Sequence, residues 1–128
     1  MSSEIQRITE LLAEKTKTKA VIWLRLDDRR NLTAMIQKQL HEQRLLPVSP
    51  KQCFACEIQG GYFALLAIKG VGKPSEIVLM VIPTLPAREY PIYSDDTSLL
   101  IELYQIVEGQ FLSVEGFLDS SLKFLESL

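Results

Sequence analysis

The chain has 128 residues, 47% of them hydrophobic and 23% charged, which suits one folded domain with a core of its own. Fourteen basic side chains against sixteen acidic ones leave a formal charge of −2, so there is no basic field to hold a nucleic acid backbone. Two cysteines rule out a disulfide scaffold, no apolar run reaches the ~18 residues of a membrane span, and the N-terminus lacks a signal-peptide pattern, so a cytoplasmic protein without membrane insertion is expected.

Residues 3–15 read as a first helix, with Ser3 and Gln6 placed for a capping box and Ile5, Ile8, Leu11 and Leu12 on one face. "KTKTK" then reads as a solvated linker. The run "AVIWLRL", 20–26, is apolar at nearly every position, as in a strand covered on both faces, with Arg25 near its end. After the turn "DDRRN", Leu32, Met35, Ile36 and Leu40 recur at helical spacing behind a possible Asn31 cap, and "LLPVSPK" ends this second helix.

"CFACEIQ-GG-YFALLAIK" reads as a β-hairpin turning on Gly60-Gly61, with Ile58 opposite Phe63, Cys56 opposite Leu65 and Phe54 opposite Ala67. "GVGKPS" turns the chain into a further strand, "EIVLMVIP". "TLPAREYPIY" reads as a loop and "SDDTS" as a helix start. From Leu99 the pattern is helical to the end, with Gly109 and Gly116 as points of bending or interruption. The expected fold class is α+β: an antiparallel sheet of about four to five strands with helices on its faces, in the order α-β-α-β-β-β-α.

The chemistry-bearing residues are few. Cys53 and Cys56 share the spacing of zinc and redox motifs, but strand side chains alternate, so the two thiols are expected on opposite faces of the sheet. A structural zinc site needs four ligands, and the chain offers these two cysteines and one histidine. His41 falls opposite the apolar face of the second helix, with no nucleophile placed beside it. "GVGKPS" departs from a phosphate loop at Ala67 and Pro74 and leads into a strand. Asp95 and Asp96 lack the rest of an EF-hand pattern and are accounted for as helix-capping acids. No catalytic constellation emerges, and the cofactor is left unknown.

The last helix is more informative. Tyr104, Val107, Phe111, Val114, Leu118, Ser121, Leu125 and Leu128 step by three and four alternately, a heptad seam with one polar break. Leu99, Leu103 and Ile106 add a second stripe. Two stripes predict packing on the chain's own sheet and on another helix, so Tyr104, Val107, Phe111, Val114, Leu118 and Leu125 are the candidate dimer interface.

The segments "ITELLAEKTKTKAVIWLRLDD", "YFALLAIKG", "EIVLMVIP" and "YSDDTSLLIELYQIVEGQF" together resemble a GAF-type sensory domain. The resemblance touches both ends of the chain and about half its length. It implies a single GAF/profilin-like domain over 1–128, homodimeric through helix 99–128. The implied role is non-enzymatic, a sensory or regulatory module of a signal-transduction protein acting on a downstream domain or partner protein. The chain departs from that pattern where a helix, not a second strand, follows the first strand, and it lacks the Asn-Lys-Phe-Asp-Glu-type signature of cyclic-nucleotide binders. Neither cysteine precedes the histidine expected beside a bilin-attaching thiol. A ligand pocket on this reading lies between the sheet and the second helix, lined by Trp23, Met35, Phe54, Cys56 and Phe63. A roadblock-like adaptor without a small-molecule ligand is the alternative, built on similar topology.

Overall fold

The structure, a computed structural model, describes residues 3–69, 76–85, 88–94, 98–112 and 114–128, with residues 114 and 115 described by their backbone alone. The "GVGKPS" turn and the acids Asp95 and Asp96 lie outside the described residues. Four helices, α1 (Ser3–Lys17), α2 (Arg30–Glu42), α3 (Leu99–Leu112) and α4 (Val114–Glu126), surround five strands. These are β1 (Trp23–Arg25), β2 (Phe54–Ile58), β3 (Gly61–Ile68), β4 (Glu76–Ile82) and β5 (Ile92–Tyr93). They form one antiparallel sheet in sequence order. The α+β expectation holds, with one more strand and one more helix than the periodicity had separated.

The hairpin turns one residue earlier than expected. Gln59 and Gly60 form its two-residue loop, at φ 52° and 84°, the left-handed pair that a type I′ turn requires. Ile58 therefore faces Gly61, Cys56 faces Phe63 and Phe54 faces Leu65. Gly61 opens β3 opposite Ile58, and only glycine fits there, since a Cβ would lie 2.6 Å from the Ile82 carbonyl oxygen of β4. The shift moves each partner by two places, so the assignment of side chains to sheet faces survives.

Both faces of the sheet are covered. On one, α2 packs Leu32, Ile36 and Leu40 against Ala55, Ala64, Leu66 and Met80. On the other, α1 and α3 bring Ile5, Leu12, Leu100, Leu103 and Val107 onto Trp23, Phe54, Cys56, Leu65 and Leu79. α1 packs along α3, and of the second apolar stripe Leu103 is fully buried while Leu99 and Ile106 are half-buried.

Several boundaries move for local reasons. Ser3 is already helical, so it opens α1 from inside. At the other end α1 runs on through Thr16 and Lys17: Thr16 is buried, its hydroxyl donates to the Leu12 carbonyl and accepts the indole N–H of Trp23 at 2.8 Å. The run 20–22 is not strand, since the Ala20 and Val21 amides donate to the Lys15 carbonyl and close the helix end. Ile22 is 63% exposed, and β1 keeps three residues only. Asn31 lies inside α2 and is exposed; Thr33 instead ties the helix start back, donating to the Leu26 carbonyl. Residues 92–93, read as loop, pair with Leu79 and Met80 as β5. The C-terminal helix is two helices, Leu99–Leu112 and Val114–Glu126.

Candidate functional site

The five residues expected to line one pocket do not meet. Trp23, Phe54, Cys56 and Phe63 belong to the face covered by α1 and α3. Met35 packs on the opposite face, where its sulfur accepts the Tyr90 hydroxyl at 3.4 Å. Strand alternation is the reason: α2 covers the face that carries Ala55 and Ala64, while Phe54, Cys56 and Phe63 point away from it. The surface between the sheet and α2 is packed core.

The cysteines sit as the alternation requires, Cys53 in the α2-side core and Cys56 in the other, both fully buried. Burial pushes the Cys53 thiol up to about 11 and the Cys56 thiol up to about 12, against slight lowering by backbone hydrogen bonds. Protonated, buried thiols are poor nucleophiles and poor ligands. Among the described residues, no group of three or more His, Cys, Asp or Glu side chains converges to hold a metal. His41 is exposed on α2.

The seam divides between α3 and α4. Its first half is intramolecular. The Tyr104 ring meets Phe54 edge-on at 5.6 Å and Phe111 meets it at 5.0 Å, while Val107 is fully buried beneath them. The Tyr104 hydroxyl donates to the Gln52 carbonyl at 2.7 Å, and burial with the nearby Glu108 charge pushes its pKa up to about 12. Its second half faces solvent: Leu118 is 58% and Leu125 62% exposed, and the Val114 side chain lies outside the described atoms.

Phe117, Leu122, Phe124 and Leu128, which the interface prediction left out, are exposed beside them. At about 100° per residue, Phe117, Ser121, Phe124 and Leu128 fall within about 60° of one another, with Leu118 and Leu125 along one flank. The signal was available: residues 114–128 taken alone form a wider apolar arc than a heptad seam, with Phe-Leu repeated at 117–118 and 124–125.

The opposite side of α4 turns inward. Gly116, Asp119, Ser120, Leu122, Lys123 and Glu126 border an open groove of ≈ 420 Å³, whose other wall includes Val21, Ile22, Trp23 and Phe111. The charged residues of α4 border its own domain and stay exposed, while most of its apolar residues face away from the groove. Close packing at the corner fixes this arrangement. A Cβ on Gly116 would fall 1.2 Å from the Gln110 carbonyl oxygen, so only glycine fits there.

No family model, curated protein or solved structure matches the chain. The reading of the site therefore rests on its own geometry. Among the described residues no helix is long and apolar enough to cross a membrane.

Proposed function

We propose that this chain is a non-enzymatic regulatory module, sensory in kind, that works as a homodimer through its C-terminal helix. The observation that carries the reading is the exposed apolar arc of α4. Phe117, Leu118, Phe124 and Leu125 on this short helix, and Leu128 just beyond it, are all more than half exposed. An apolar surface of this extent marks an interaction site rather than a free surface. The proposed setting is the cytoplasm, and two free, buried thiols are compatible with its reducing conditions.

The test is the oligomeric state. Native mass spectrometry of the wild-type protein at micromolar concentration is expected to give a dimer. The double variant Phe117→Glu, Leu125→Glu is expected to give a folded monomer, because neither side chain belongs to the core. A wild-type monomer at high micromolar concentration overturns the reading, as does a dimer that survives both charges.

An adaptor that docks a partner protein and binds no small molecule is the second reading, favoured by the filled core on both sheet faces. The ≈ 420 Å³ groove under α4 favours the sensory one, since its volume suits a small ligand. A small molecule that co-purifies and is lost on unfolding supports sensing. A stable dimer with none supports the adaptor.

A further inference from the structure

The dimer reading leaves open how two copies meet, and the outward arc of α4 answers it. We propose that two α4 helices pair antiparallel about a two-fold axis through Ser121; this rests on the homodimer reading above and deepens it.

Three observations converge on that geometry. The first is area. Five side chains of the outward arc, Phe117, Leu118, Phe124 and Leu125 on α4 and Leu128 just beyond its end, are 58–86% exposed. Together they present roughly 600 Å², the upper end of the ~300–600 Å² patch of a typical monomer and most of the ≈ 800 Å² per partner of a standard interface. A second copy is the occupant that supplies an equal and self-complementary surface.

The second is the symmetry of the pattern. Phe117 and Leu125 lie equally far from Ser121, as do Leu118 and Phe124. An antiparallel pair centred there sets Phe117 against Leu125 of the second copy and Leu118 against Phe124 of the second copy. Each layer then joins one large and one smaller side chain, which keeps layer volumes even. A parallel pair in register would stack Phe on Phe and Leu on Leu. The small Ser121 sits at the crossing, where the helix axes approach most closely.

The third is placement. The polar side of α4 faces its own domain across the groove, so each domain body lies behind its helix and away from the pair. Antiparallel alignment also opposes the two helix dipoles favourably.

Cysteine cross-linking tests the arrangement in the full chain. Cys53 and Cys56 are both fully buried, so wild-type protein supplies the blank. Phe117→Cys and Leu125→Cys are purified separately, mixed under reducing conditions, then mildly oxidised. A disulfide needs Cα atoms roughly 4.4–6.8 Å apart. Antiparallel pairing predicts a mixed 117–125 disulfide in the mixture, at least several-fold above the yield of either variant alone. Leu118→Cys mixed with Phe124→Cys is the second, independent pair and covers failure of one variant to fold. Efficient cross-linking of Leu125→Cys with itself indicates parallel helices and overturns the proposal. A wild-type dimer with neither mixed disulfide also overturns it, yet leaves the dimer reading standing. A wild-type monomer removes both.

Discussion

At the scale of single residues, burial decides chemistry. Cys53 and Cys56 carry a motif spacing, but each is held in a different core with its proton retained. The native state binds those protons more tightly than the unfolded chain, whose thiols titrate near the ordinary value of 9.0. Their contribution to stability is therefore intact below about pH 9 and is lost as pH rises through 11 and 12. The melting temperature is expected to fall between pH 8 and pH 11, and Cys56→Ala is expected to flatten that fall. A thiol-reactive dye at pH 8 should label neither cysteine until the protein is unfolded. Thr16 is the second residue whose surroundings matter. It accepts the Trp23 indole N–H in a buried site, so Thr16→Val leaves that donor unpaired. The expected cost is about 1–3 kcal/mol, measured by urea unfolding.

At the scale of elements, what was legible was whatever a simple period encodes. The apolar faces of α1 and α2 and the alternation that separates the thiols follow from side-chain geometry alone. The parts that did not read locally depend on contacts far along the chain. β1 shrinks because the α1 end claims the amides of Ala20 and Val21, and β5 exists because β4 offers it an edge. The hairpin turns at Gln59-Gly60, and Gly61 closely approaches the Ile82 carbonyl of β4, a long-range contact no hairpin rule contains. The candidate pocket failed for a similar reason: helical spacing placed Met35 on an apolar face, but not on which side of the sheet that face would land. The heptad steps ran unbroken across Leu112, so one helix was expected where two form. Gly116 marks that corner. Gly116→Ala is expected to force α4 off the groove, exposing Trp23, the only tryptophan, and shifting its emission to longer wavelength. Unchanged emission would show that the corner absorbs the methyl group by other means.

At the scale of the whole molecule, the two faces of the sheet are closed and the last helix is left open. The first half of the seam completes the core through Phe54, and the second half presents what the core does not use. The sheet ends in three-residue β1 and two-residue β5, which give little backbone for another strand to copy. Short outer strands make growth by strand addition less favourable. On the homodimer proposal, an adhesive helix on a body with such margins makes assembly self-limiting: the apolar surface is used up when one pair forms, and little template is left for fibrils.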